Sequence, residues 1–122
     1  MKLHRSGAAG VNTFTGYGEG YVLVNGERHE SSVIVLRDRV CAWDVAEFAA
    51  LAEEHFAQLA AMQLEVVLLG TGPRLRFPPP QLTAPLARAN IGLEVMDLQA
   101  ACRTYNILVA EERKVAAALL FA

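Results

Sequence analysis

The sequence predicts an α/β fold of three layers, a mixed central β-sheet flanked by helices, with an N-terminal β-hairpin. Three observations lead there. Short apolar runs of strand length recur at Ser31–Leu36, Glu65–Leu69 and Val115–Phe121. Between and beside them lie segments whose apolar residues repeat with helical spacing. Near the N-terminus, Asn25-Gly26 sits between a β-rich run and its return, the strongest short hairpin signal because both residues tolerate positive φ. Strands that alternate with helices imply helices layered on a mixed sheet.

In chain order, residues 1–20 are glycine-rich and polar, with an edge strand expected near Val11–Thr15 and a turn through Gly16-Tyr17-Gly18. Tyr21–Val24 leads into Asn25-Gly26, and Glu27–Glu30 returns as the partner strand. Ser31–Leu36 is β-branched and reads as a central strand. Arg37–Trp43 reads as a connection. Asp44-x-x-Glu47 resembles a capping box, opening an amphipathic helix to about Met62. Its core face would carry Val45, Phe48, Ala49, Ala52, Phe56 and Leu59, with Glu47, Glu54 and Gln58 opposite.

Glu65–Leu69 has the apolar continuity of a strand buried on both faces. Pro78-Pro79-Pro80 cannot extend a ladder but can open a helix, expected over Leu82–Ala89. Leu93–Met96 reads as a strand, and Asp97 as the N-cap of the last helix. Leu98, Ala101, Cys102, Tyr105, Leu108 and Val109 share its core arc. Gln99, Arg103, Asn106 and Ala110 lie opposite. A continued helix would place Glu112 in the apolar arc, where an unpaired carboxylate is costly, so the helix should stop near Ala110 or Glu111. Helix propensity favours helix for Lys114–Leu120, but that stop isolates the segment and favours a buried final strand.

A chain of 122 residues is read as one domain spanning 1–122, long enough to bury about two-thirds of its unfolded surface. With 53% hydrophobic and 20% charged residues, it is globular in composition rather than disordered. A net charge of −2 offers no nucleic-acid footprint. Cys41 and Cys102, both in apolar contexts, are expected to be reduced and buried. No His or Cys pair has metal spacing, so neither metal nor cofactor is expected. Met1–Ser6 lacks a signal-peptide core, and no apolar run reaches the ~20 residues of a membrane span. A cytoplasmic protein is the default expectation.

Two segments carry candidate chemistry. On the last helix, Arg103 and Asn106 are neighbours, with Thr104 and Glu111 on an adjacent strip; a guanidinium, an amide and a carboxylate could converge where the helix meets a loop. The bland reading has Arg103 paired with a carboxylate and Asn106 tying down nearby backbone. The second segment, Gly70-Thr71-Gly72-Pro73-Arg74-Leu75-Arg76-Phe77, follows a strand at the edge where α/β sheets favour ligands. Its glycines allow close backbone approach to an anion, which Arg74 or Arg76 could neutralise. It matches neither a Walker A motif nor a dinucleotide fingerprint, and the alternative is a tight turn. The candidate binding residues are Gly70, Thr71, Gly72, Arg74, Arg103, Thr104, Asn106 and Glu111. No catalytic nucleophile–base pair is readable, since no histidine is placed beside Cys102.

Gly16-Tyr17-Gly18-Glu19-Gly20-Tyr21 with its Asn25-Gly26 hairpin, Leu68–Phe77, and Glu94-Val95-Met96-Asp97 through Arg113 together resemble one family. Ala101-Cys102-Arg103-Thr104-Tyr105-Asn106-x-Leu108 is the most specific run. The family comprises small bacterial and archaeal proteins without an assigned activity, whose mitochondrial relatives are assembly factors for respiratory complex I (NADH dehydrogenase assembly factor three). The resemblance spans about Val11 to Leu120. It implies a three-layer fold with a mixed sheet and a final strand, and supplies no catalytic residue. One departure is Glu112, where members often have Gly. A glutamate in the left-handed residue that ends a helix would cost about 1 kcal/mol or force another ending.

Two functions stay open on these grounds. One is a non-enzymatic binding module that holds a protein partner, such as a membrane-complex subunit or assembly intermediate. The other is a small-molecule or anion site, or an unrecognised enzyme, between loop 70–77 and helix 97–111. A homo-oligomer using Trp43 and the proline loop as apolar surface is a third option.

Overall fold

The computed structural model describes residues 10–122; the segment read for targeting signals, Met1–Ser6, lies outside them. Five strands form the main sheet: β4 (Val33–Leu36), β5 (Val40–Ala42), β6 (Val66–Gly70), β7 (Gly92–Met96) and β8 (Val115–Leu119). Their order is β5-β4-β8-β6-β7. β8 pairs parallel with β6 and antiparallel with β4, and β6 pairs parallel with β7, which makes the sheet mixed. A second, antiparallel sheet holds β1 (Phe14–Gly18), β2 (Tyr21–Val24) and β3 (Glu27–His29). The helices are α1 (Glu53–Ala60), α2 (Pro80–Arg88) and α3 (Leu98–Ala110).

Period-two alternation separates two cores. Val33, Val35, Val66, Leu68, Val115, Ala117 and Leu119 face α3 and the small sheet, which contributes Phe14, Tyr17, Val22 and Val24. Ile34, Leu36, Val67, Leu69, Ala116, Ala118 and Leu120 face Phe56 and Leu59 of α1, Leu86 of α2, and Trp43, Val45 and Leu51. The three layers are therefore α3 with the small sheet, the main sheet, and α1 packed against α2.

The apolar segment 115–121 is indeed a strand, and it lies in the middle of the sheet. Its alanines are intrinsically helix-forming, but every residue of β8 is buried between two helical layers and hydrogen-bonded on both sides. Tertiary context overrides propensity.

Several local expectations need correction. The first strand runs Phe14–Gly18, so Gly16-Tyr17-Gly18 is strand and the turn is Glu19-Gly20. Gly18 leaves room for the Tyr21 ring, which a Cβ there would meet at 2.3 Å. Asn25-Gly26 does close a hairpin, with φ of 50° and 84°, the positive pair of a type I′ turn. Within 37–43, Val40–Ala42 forms an edge strand on β4; three residues flanked by charges carry no detectable strand pattern. Trp43 is 3% exposed in the core and offers no surface to a second chain.

The long helix expected from Asp44 to Met62 is cut to a 3₁₀ turn, Phe48–Ala50, followed by α1 at Glu53–Ala60. Glu47 and Ala52 are both extended, so the box at Asp44 does not form. Phe48 N–H donates instead to the Ala122 carbonyl (2.9 Å). His55 Nδ1 accepts from Ala52 N–H, and its Nε2 lies 2.9 Å from the Asp44 carbonyl. Pro80 opens α2, slightly earlier than expected.

Helix α3 ends where the sequence placed it. Arg113 N–H donates to Leu108 O and Glu112 N–H to Val109 O, each at 3.0 Å, with Glu112 at φ 61°. This is the Schellman ending, adopted by a glutamate in place of glycine. Asn90 does the same after α2 at φ 58°. Replacing Glu112 by Gly removes the left-handed Cβ penalty and should stabilise the chain by about 1 kcal/mol, read as a raised urea midpoint with an unchanged slope; an unchanged or lower midpoint contradicts it.

Candidate functional site

Helix α3 starts at a true cap: Asp97 Oδ1 accepts from Ala100 N–H at 2.9 Å. From there the periodicity delivers Leu98, Ala101, Cys102, Tyr105 and Val109 to the core, as expected. The two residues with the most reactive chemistry are thereby sequestered. Burial pushes the Cys102 thiol up to about 12, against a smaller opposing pull from the Arg103 charge. Burial likewise raises the Tyr105 phenol. That hydroxyl donates to the Asn12 carbonyl at 3.0 Å, and the ring meets Phe14 edge-on at 5.1 Å. Both groups stay protonated at neutral pH and act as packing.

Asn106 and Arg103 bind α3 to the small sheet. Asn106 Nδ2 donates to Phe14 O at 2.8 Å, and its Oδ1 accepts from Phe14 N–H at 2.9 Å. The amide thus completes both backbone groups of a residue with no solvent exposure. Arg103 Nη1 donates to the Tyr17 hydroxyl at 3.0 Å. Thr104 is half-buried, and Glu111 is exposed at the helix C-cap.

The glycine loop is a turn closed largely by its own groups, with the Arg76 Nε left buried and without a hydrogen-bond partner among the described residues. Thr71 Oγ1 donates to the Arg74 carbonyl (2.7 Å) and accepts from Arg76 N–H (3.1 Å). The Arg76 guanidinium donates back to Thr71 O at 2.8 Å and lies 4.6 Å over the Phe48 ring, a cation–π contact. Gly72 has φ 91°, and its carbonyl accepts from Leu98 N–H at 2.9 Å. Gly70 is crowded: a Cβ would lie 2.7 Å from Leu119 and 3.2 Å from Ala101, so here glycine serves close packing of α3 on the sheet. The arginine side chain at Arg74 remains exposed. So do Leu75 (50%) and Phe77 (70%).

The loop therefore meets the first turn of α3, whereas Glu111 sits at the far end of that helix, and Arg103 and Asn106 turn to the small sheet. Among the described residues, two concave surfaces bear on these residues. At the C-terminal edge of the parallel strands, a cleft of about 500 Å³ is lined by Gly18–Gly20, Gly72, Pro73, Asp97–Gln99 and Phe121. Of the expected binding residues only Gly72 lines it. At the opposite edge lies a wider bowl of about 750 Å³, built from three turns: 36–39, 61–64 and 112–115. It gathers Arg37, Arg39, Arg113 and Lys114. Sequence reading missed this group, because its members are local pairs of charges until the β4 and β8 pairing brings them together. Cys41, expected to be buried, is only half-buried on the edge strand β5.

Two outcomes follow from this geometry. In the native protein a thiol reagent should modify Cys41 and spare Cys102, with both reacting after denaturation; mass mapping that finds Cys102 labelled as fast as Cys41 contradicts the burial argument. Asn106→Ala strands two buried backbone groups and should cost about 2 kcal/mol or more, with loss of exchange protection at the Phe14 amide. A neutral Asn106→Ala would mean that α3 and the small sheet are held together otherwise.

Among the described residues no helix is long and apolar enough to cross a membrane. Over 103 residues the chain is 33% identical to the bovine NADH dehydrogenase [ubiquinone] 1 alpha subcomplex assembly factor 3, covering 83% of this chain and 55% of that protein. The chain thus spans about half the length of that relative. An uncharacterized protein of Rhodobacter capsulatus is 30% identical, with 98% of this chain and 93% of that one covered. The crystal structure of a protein from Bordetella parapertussis superposes with a TM-score of 0.88 at 40% identity, covering 95% of this chain and 100% of that one. Residues 14–120 match the model of the family described as protein of unknown function (DUF498/DUF598), and the chain belongs to that family.

Proposed function

We propose that the protein is a non-enzymatic binding module that assists assembly of a protein complex through contacts with a partner protein. The observation that carries this reading is the relationship, across most of the chain, to a protein named as an assembly factor for NADH dehydrogenase. In this reading the chain works from the cytoplasmic side on a membrane-complex subunit or assembly intermediate. The surface supports it. The turn braced by Thr71 and Arg76 presents Leu75 and Phe77 to solvent, and an exposed aromatic on a braced loop suits an interface anchor. The cysteine and tyrosine of the signature helix serve the core, which agrees with a role in binding rather than chemistry.

The test is capture of detergent-solubilised native membranes on the tagged full chain, with and without the surface change Leu75→Ser/Phe77→Ser. Subunits of a membrane complex should be retained by the wild type. The double variant should retain about tenfold less, the loss that removal of an interface anchor produces. Equal retention by both, or no membrane-complex subunit retained by the wild type, overturns the reading.

A further inference from the structure

The bowl at the edge of the sheet opposite the Leu75–Phe77 loop carries a charge opposite to that of the rest of the molecule. The chain has eleven Lys and Arg and thirteen Asp and Glu. Lys2 and Arg5 precede the described residues, which leaves nine cations, of which Arg37, Arg39, Arg113 and Lys114 line this one surface. Asp38 and Glu112 oppose them in the lining, and Glu65 does so from beside Arg113. The remainder of the described chain is strongly acidic by the same count.

The cations are held on short, defined turns. Leu36 N–H donates to Arg39 O at 2.9 Å, closing the β4–β5 turn. Glu65 N–H donates to Lys114 O, and Glu65 Oε1 accepts from Lys114 N–H, each at 2.8 Å. Arg113 pairs with Glu65 Oε2 at 3.3 Å, whereas neither Arg39 nor the Lys114 ammonium forms a salt bridge among the described residues. Beneath the charged rim lie Leu36 and Val115, both buried, and the half-buried Met62 and Leu64.

We infer that this bowl docks an acidic peptide segment of a partner protein, one that alternates carboxylates with apolar side chains. Charge complementarity selects the sign of the ligand. The size of the bowl, with a pair of cations on each of two turns and an uncharged third turn between apolar residues, suits an extended segment rather than one compact anion. The apolar floor suits a side chain between the carboxylates. The site lies apart from the Leu75–Phe77 surface and goes beyond the assembly reading, so either can fail without the other.

The test is an amide chemical-shift titration of the full chain with a capped peptide of alternating glutamate and leucine. Shifts should concentrate at 36–39, 61–64 and 112–115 and weaken with added salt. Arg39→Glu/Lys114→Glu, which breaks no salt bridge, should leave the remaining spectrum unchanged and weaken binding about tenfold or more. Three results overturn the inference: no localised shifts; the same shifts with inorganic phosphate at equal ionic strength, which would mark a simple anion site; or shifts with phosphatidylglycerol vesicles and none with the peptide, which would mark a lipid surface.

Discussion

The structure depends on burying β8 on both of its faces. Val115–Leu119 is the middle strand of the main sheet and the only one in it that pairs both antiparallel, with β4, and parallel, with β6. Its side chains are mostly alanine, so each covering layer approaches closely: α3 from one side, the residues around α1 and α2 from the other. Gly70 on the neighbouring strand extends that close approach to the start of α3, where a Cβ would strike Leu119 and Ala101. Interiors are packed to crystal density, so small residues at this seam determine how near the layers sit and hence where every loop emerges.

Helix α3 is the second dependency, because it faces two sheets at once. Its apolar arc lies on the main sheet, and its polar residues complete the small one. The Phe14 peptide groups, Tyr17 and Asn12 all find partners on α3 at Asn106, Arg103 and Tyr105. A small sheet needs a hydrophobic face or a helix to pack against for its stability. Here it gains a hydrogen-bonded attachment in addition to the packing of Phe14, Tyr17, Val22 and Val24. The polar signature that draws attention in the sequence is in this way a joint between α3 and the small sheet.

That arrangement divides the molecule chemically: Cys102 and Tyr105 lie in the core, and exposed apolar and cationic groups lie at the two ends of the strands. At one end a braced turn exposes Leu75 and Phe77; at the other, two turns gather Arg37, Arg39, Arg113 and Lys114. Both begin on strands that are buried and paired.

Much of the fold was legible in the sequence because its cues are local. Asp97 caps a helix through its own first turn, Asn25-Gly26 closes a hairpin within four residues, and the ill-placed carboxylate at Glu112 marks where α3 must end. The segment 44–52 defied such reading, since its backbone answers to distant groups: Phe48 bonds to Ala122, and His55 reaches back to Asp44. The edge strand at Val40–Ala42 exists only because β4 offers it a partner. For the candidate site, the chain alone assigned Cys102 and Tyr105 to the core and Arg103 and Asn106 to another face, by helical geometry. Only the tertiary structure decided that Asn106 is taken up by Phe14, that Glu111 lies a helix length from Gly72, and that four separated cations share one bowl. Those are matters of which surfaces meet, and side-chain periodicity reports which face is apolar but not what covers it.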